Sequence, residues 1–152
     1  MITAIDHINI VVRDLEKMTR FYTEVLGLRE TKRARLKGEW IEAIVGLAGV
    51  EAEVVFVEPP GGGPRIELLH YVSPQGSPIA ACSAPNTPGL RHIAVRVQGI
   101  DAAAERLRAA GVNLFGAPVT VPDSAVKHEA GEKKLLYFLD PEGVLLELTE
   151  YV

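Results

Sequence analysis

One strand-helix segment occurs twice in this chain, and both copies carry a histidine at the same place. The first copy reads Ile5-Asp6-His7-Ile8-Asn9-Ile10-Val11-Val12, then Asp14-Leu15-Glu16 and a helical pattern that closes at Leu26-Gly27. The second reads Leu90-Arg91-His92-Ile93-Ala94-Val95-Arg96-Val97, then Gly99-Ile100-Asp101 and a helical pattern that closes at Ala110-Gly111. His7 and His92 are 85 positions apart, and so are the helix-opening residues Leu15 and Ile100. Each half also ends in a strand with one glutamate, Arg65-Ile66-Glu67-Leu68-Leu69 and Val144-Leu145-Leu146-Glu147-Leu148. Duplication on this scale restricts the chain to two copies of one supersecondary unit.

Periodicity gives that unit the order β-α-β-β-β. Residues 5–12 alternate, with Ile8, Ile10 and Val12 on one face and His7, Asn9 and Val11 on the other. Asp14 is the expected N-cap, Leu15, Met18, Phe21, Tyr22, Val25 and Leu26 recur at helical spacing, and Gly27 is the expected stop. Strands are predicted over 29–36, 53–58 and 64–70. In the second half the pattern predicts a strand over 90–97, a helix over 100–110 and strands over 112–115, 133–138 and 143–150. The turn Asp140-Pro141-Glu142-Gly143 joins the last two. The fold class is α+β, one domain of two modules: 1–71, a Pro- and Ser-rich linker over 72–88 with room for a helical turn at 79–81, and 89–152. The apolar segment from Trp40 to Leu47 has no counterpart in the second half. It reads either as a short helix at the edge of the core or as a wall over a binding site.

Bulk properties exclude several classes. A chain of 152 residues with 47% hydrophobic and 24% charged content suits a globular domain with a substantial core. The net charge of −4 is mild and dispersed, without a stripe for nucleic acid or a polybasic membrane signal. No apolar run approaches the roughly 20 residues that cross a bilayer, and the first residues do not read as a secretory signal, so a cytoplasmic location is expected. Cys82 is the only cysteine, which rules out an internal disulfide and a cysteine-based metal cage.

Alternation gives the repeated His and Glu a geometry. Each lies on the strand face opposite the aliphatic residues Ile8/Ile10, Ile66/Leu68, Ile93/Val95 and Leu146/Leu148. If the two sheets curl toward each other, those faces line one cup. Imidazole nitrogen and carboxylate oxygen together suit one divalent Zn, Ni, Co, Mn or Fe ion, with open positions left for substrate. His7, Glu67, His92 and Glu147 are therefore the expected metal ligands, and Asn9, Arg96, Thr149 and Trp40 candidate pocket residues. His70, on the opposite face from Glu67, and His128, in a charged loop, read as surface residues. Glu53 reads as a solvent-facing carboxylate or as a base beside the site.

The doubled plan with these four residues resembles the vicinal oxygen chelate superfamily, which includes glyoxalase I, methylmalonyl-CoA epimerase, extradiol dioxygenases and the bleomycin- and fosfomycin-resistance proteins. The resemblance covers nearly the whole chain. Its most specific stretches are Ile5-Asp6-His7-Ile8, Leu90-Arg91-His92-Ile93-Ala94 and Phe138-Leu139-Asp140-Pro141-Glu142-Gly143 with Glu147-Leu148. The resemblance implies a cup-shaped half-barrel holding one divalent metal and a small carbonyl or acyl-thioester substrate. It further implies isomerase, epimerase or glyoxalase-like lyase chemistry through a metal-stabilised enediolate. Glu67 and Glu147 are the candidate bases. It also implies a homodimer, with no nucleic-acid or membrane partner. Two alternatives stay open: a metal-free ligand-sequestering protein and a ring-cleaving dioxygenase. The stretch Glu67-Leu68-Leu69-His70 with Ser77-Pro78-Ile79-Ala80 is similar to the epimerases, whereas the loop from Lys127 to Lys133 and the segment over 40–50 depart from them.

Overall fold

A computed structural model describes residues 2–77, 84–122, 124, 126 and 128–152; the helical turn expected at 79–81 lies outside them. The chain divides into two compact units, Met1–Pro78 and Ile79–Val152. In the first unit β1 (His7–Val11) leads into α1 (Leu15–Arg20), whose last turns widen into a π-helix over Phe21–Val25. Then follow β2 (Arg29–Lys37), α2 (Glu39–Val45), β3 (Glu51–Glu58) and β4 (Arg65–Ser73). The second unit has β5 (His92–Arg96), α3 (Ile100–Ala109), β6 (Val119–Thr120), β7 (Lys133–Leu139) and β8 (Leu145–Tyr151). Both are β-α-β-β-β units with a four-stranded mixed sheet, ordered β1-β4-β3-β2 and β5-β8-β7-β6. The crossover helix makes β1 and β4 parallel neighbours in one sheet and β5 and β8 parallel neighbours in the other.

The aliphatic faces pack as alternation requires. In the first unit Leu15, Met18, Phe21 and Tyr22 of the helix are buried together with Ile10, Val55, Val57, Ile66 and Leu68, and α1 lies against β3 and β4. In the second, Ile100, Ala104 and Leu107 are buried with Leu136, Phe138, Leu146 and Leu148, and α3 lies against β7 and β8. Each large side chain buried this way contributes about 1.5–3 kcal/mol.

One predicted strand moves, and one strand face that alternation left open is partly covered. The strand expected at 112–115 joins β7 only through a single bridge, Leu114 to Phe138, flanked by hydrogen bonds from Phe115 N–H to Tyr137 O (2.9 Å) and from Leu139 N–H to Asn113 O (2.9 Å). Gly116, at φ 140°, turns the chain away, and Pro118 has no N–H to continue a ladder. The sheet strand is instead Val119–Thr120, paired with Leu135 and Lys134. The apolar segment from Trp40 forms the short helix expected at the edge of the core, as α2 over Glu39–Val45, and its Ile41 is buried with Val50, Ala52, Val54 and Leu69. Those partners lie on the Glu67 face of the first sheet, since β3 pairs Val54 with Leu69 and Phe56 with Glu67. That face is therefore half covered by a helix and not left wholly open.

Helix α3 has an unusual start. Asp14 caps α1 from within, its Oδ1 accepting from Lys17 N–H at 2.9 Å. The position at the same offset in the second unit is Gly99, with φ 75° and no side chain. Glu150 of β8 supplies the missing carboxylate: its Oε2 accepts from Ile100 N–H at 3.0 Å and its Oε1 from Gly99 N–H. A negative group there also meets the positive end of the helix dipole. Those backbone donors hold the Glu150 carboxyl below its ordinary range. A depressed carboxyl stabilises the fold above its unfolded pKa and loses that effect as pH falls. The melting temperature of Glu150→Gln is thus expected to lie below wild type at pH 7, and the gap to narrow progressively as pH falls below the ordinary glutamate value of about 4.3. A gap that does not change with pH across the acid range would remove the charge from this account.

Candidate functional site

In the first unit β1 and β4 bring His7 and Glu67 together. Asn9 is the direct register partner of Glu67 and His7 that of Arg65, so all four side chains share one face. His7 Nε2 stands 3.4 Å from Glu67 Oε2, and Asn9 Nδ2 donates to the same oxygen at 2.8 Å. The other imidazole nitrogen, Nδ1, lies 2.8 Å from Asp6 Oδ2, which also accepts from Arg65 at 2.5 Å. A carboxylate can only accept, so the contact with Asp6 requires a proton on Nδ1, and a neutral ring then offers Nε2 as a donor atom. Hydrogen bonds first from His7 and then from Arg65 hold the Asp6 carboxyl below its usual value. Phe56, the β3 partner of Glu67, meets His7 edge to face at 5.9 Å.

The second unit repeats the pair with different support. His92 Nε2 is 3.5 Å from Glu147 Oε2, and Tyr137, the β7 partner of Glu147, lies 5.1 Å from the His92 ring. Glu147 is 3% exposed. Its Oε1 is buried without a hydrogen-bond partner of ordinary geometry, and Lys133 Nζ stands 3.3 Å away. Burial, and next the Glu147 charge, push the Tyr137 phenol above its normal range. Arg91 and Ala94 occupy the positions that match Asp6 and Asn9, so these two positions supply neither a carboxylate behind the imidazole nor an amide on the glutamate.

The donor sets fit a divalent ion. Two atoms bound to one ion at about 2.0–2.1 Å with near-tetrahedral angles stand about 3.4 Å apart, close to both observed His–Glu separations. Among the described residues no group of three or more His, Cys, Asp or Glu gathers; each unit contributes one pair.

Other predicted residues fall into place beside these pairs or away from them. Asn9 holds Glu67 directly, and Thr149 and Arg96 are register partners on the His92 face. Trp40 is 54% exposed on α2, with its indole N–H donated to Lys37 O at 3.0 Å. Glu53 lies on the face opposite Glu67 and is paired with Arg35 at 2.9 Å. His70 Nδ1 sits 3.1 Å from Val12 O, tying β4 to the chain after β1, and His128 packs on Tyr151 at 5.6 Å. Sequence reasoning missed Asp6, Phe56, Tyr137 and Lys133. Only Asp6 left a signal, directly before His7; the others depend on strand register.

The Asp6 contact makes a measurable claim. Carboxylate partners of ligating histidines typically carry 10–100-fold in metal affinity. If His7 ligates zinc, Asp6→Asn should weaken that binding by about tenfold in a competition titration, whereas Arg91→Asn should leave it near wild type. Equal losses in both would mean that Asp6 acts by bulk charge.

Comparison with known proteins places this geometry in context. The model of the "Glyoxalase/Bleomycin resistance protein/Dioxygenase superfamily" matches residues 4–148. An ethylmalonyl-CoA/methylmalonyl-CoA epimerase of Cereibacter sphaeroides is 32% identical, with 99% of both chains covered. A 2-epi-5-epi-valiolone epimerase of an Actinomyces species is 31% identical over 95% of this chain and 78% of its own. A solved glyoxalase family protein from Bacillus cereus superposes with a TM-score of 0.80 at 29% identity, over 99% of this chain and 95% of the other. No helix among the described residues is long and apolar enough to cross a membrane.

Proposed function

The chain belongs to the glyoxalase/bleomycin resistance protein/dioxygenase superfamily, and we propose that within it this protein is a divalent-metal-dependent epimerase. Its substrate would be a small acyl thioester or carbonyl compound. The observation that carries the reading is the matched His–Glu pair on each sheet, at donor spacings of 3.4 and 3.5 Å. The names of the relatives from Cereibacter and Actinomyces, both epimerases, support it.

The reading takes His7, Glu67, His92 and Glu147 as one ligand set. A bound divalent ion supplies Lewis acidity toward a substrate carbonyl, which lowers the cost of charge on its oxygen. The chain's residues do the rest. One glutamate takes the proton from the carbon next to the carbonyl, and the other returns a proton to the opposite face, so that configuration inverts without net change in atoms. Asn9 orients Glu67 and Lys133 orients Glu147, which keeps the two carboxylates in fixed poses. Asp6 sets the His7 tautomer. Burial of Glu147 excludes water from one of the two acid-base groups.

Exchange of substrate hydrogen with solvent deuterium tests this directly. Proton NMR of methylmalonyl-CoA and of simple α-hydroxy ketones in deuterated buffer should show loss of the adjacent C–H signal, with chelator stopping it. Glu67→Gln and Glu147→Gln should each slow exchange by about 10²–10⁴-fold, the usual contribution of a positioned acid-base group. Exchange that survives both substitutions would sink the assignment.

A further inference from the structure

The second sheet has a polar patch that the two His–Glu pairs do not account for. Beyond Glu147 on the same face lie Thr149 and Tyr151 of β8, Arg96 of β5 and Lys133 of β7, because Thr149 pairs with Arg96 and Tyr151 with Lys133. The Arg96 guanidinium carbon sits 4.6 Å over the Tyr151 ring, Lys133 Nζ approaches the same ring at 6.0 Å, and His128 packs on it edge to face at 5.6 Å. Arg96 makes no ion pair with any carboxylate among the described residues, whereas most other arginines of the chain do. Thr149 is only 7% exposed, and its hydroxyl has no hydrogen-bond partner. A buried hydroxyl without a partner costs free energy unless a ligand meets it.

We propose that Arg96 and Thr149 form an anion subsite that holds a carboxylate of the substrate at a distance from the reacting carbon. Stacking on Tyr151 fixes the plane of the guanidinium, which presents two parallel N–H donors to a planar carboxylate. Thr149 donates a third hydrogen bond from the floor. Two residues along β8 separate Thr149 from Glu147 and four along β5 separate Arg96 from His92. At about 3.3 Å per residue the anion lies on the order of 7–13 Å from the His–Glu pair. Lys133, opposite Tyr151 in register, reaches Glu147 at 3.3 Å and neutralises charge there. Among the described residues the first unit has no equivalent patch, since its corresponding face is packed under α2 through Ile41, Val54 and Leu69. The substrate is thus an extended molecule with a carbonyl at one end and a carboxylate at the other. The position of the reacting carbon rests on the proposed function; the subsite itself does not.

Amide NMR titration of the full chain with propionate, its neutral isostere propionamide and inorganic phosphate tests this, once with chelator present and once with saturating zinc. Propionate should shift the amides of Arg96, Thr149 and Tyr151 in both conditions, and propionamide should not. Arg96→Gln should weaken propionate binding at least tenfold, and Thr149→Val several-fold, with zinc content at the wild-type level. Arg96→Lys keeps the charge but loses the planar fork, so it should bind phosphate better than propionate. Equal binding of propionamide, an unaffected Arg96→Gln, or shifts confined to His92 and Glu147 would each overturn the subsite. Phosphate preferred by wild type would overturn the carboxylate assignment. If propionate binds as stated while wild type holds no metal, the subsite stands and the proposed function falls.

Discussion

Replacing His92 with alanine is expected to remove stoichiometric divalent metal from the protein while leaving its fold in place. The side chain is about a third exposed and contacts mainly Tyr137 and Glu147, so its loss opens no enclosed cavity. A stability change within about 1 kcal/mol is expected for such a position. On the proposed reading, the loss of one imidazole from the four-residue ligand set is far larger in its effect, because imidazole nitrogen is a well-suited donor for Zn, Ni and Fe. His7→Ala should behave alike. Elemental analysis after reconstitution with Zn, Ni, Co, Mn or Fe, beside circular dichroism of the same samples, separates the two effects. A wild type without stoichiometric metal would remove the chemistry from the proposed epimerase. A His92→Ala protein that keeps its metal would remove His92 from the ligand set.

How far the sequence was legible depended on whether a feature is periodic. Both β-α-β-β-β units were readable because apolar alternation at Ile8/Ile10 and Leu146/Leu148, and helical spacing from Leu15 to Tyr22, leave direct traces in the chain. The His–Glu pairs were readable because parallel crossover pairing places β1 beside β4 and β5 beside β8 in both halves. Antiparallel neighbours were not. That Phe56 faces Glu67 and Tyr137 faces Glu147 follows from β3 and β7 register, which turn lengths alone did not fix. The strand over 112–115 was misplaced because Val112-Asn113-Leu114-Phe115 is apolar enough for a strand, while Gly116 and Pro118 decide where the ladder runs. The covering of the Glu67 face by α2 was hidden for a different reason. Ile41 is one residue in an insertion without a repeat partner, so its packing direction had no second copy to confirm it.

The two units share a plan and differ in charge. Glu67 is held by a neutral amide and His7 by a carboxylate, whereas Glu147 is buried beside a lysine and His92 has no acidic neighbour in sequence. The two units therefore match at the His and Glu positions and differ at Asn9/Ala94 and Asp6/Arg91. On the proposed reading, in which Glu67 and Glu147 act in turn on opposite faces of a carbon, the two carboxylates do so from different surroundings.

Lys133→Met should expose that difference as stability. The lysine side chain is 18% exposed and the Glu147 side chain 5%, so removing the cation leaves a buried carboxylate that keeps the His92 imidazole at 3.5 Å and the Tyr137 phenol but has lost its lysine. Breaking such a pair costs about 3–5 kcal/mol when fully buried; partial exposure of the lysine reduces the expected loss to about 2–3 kcal/mol. Methionine fills much of the volume of the lysine stem, so little of the loss comes from a cavity. A divalent ion at Glu147 would replace the missing positive charge. Saturating zinc should therefore stabilise Lys133→Met by more than it stabilises wild type, beyond the ordinary mass-action gain that both share. The double variant Lys133→Met/Glu147→Gln should recover part of the stability without metal, since no buried charge remains. Urea unfolding with chelator and with zinc measures all three terms. If zinc raises the midpoint of wild type and Lys133→Met equally, Glu147 does not meet the ion. If Lys133→Met matches wild type in chelator, the lysine does not compensate the buried carboxylate.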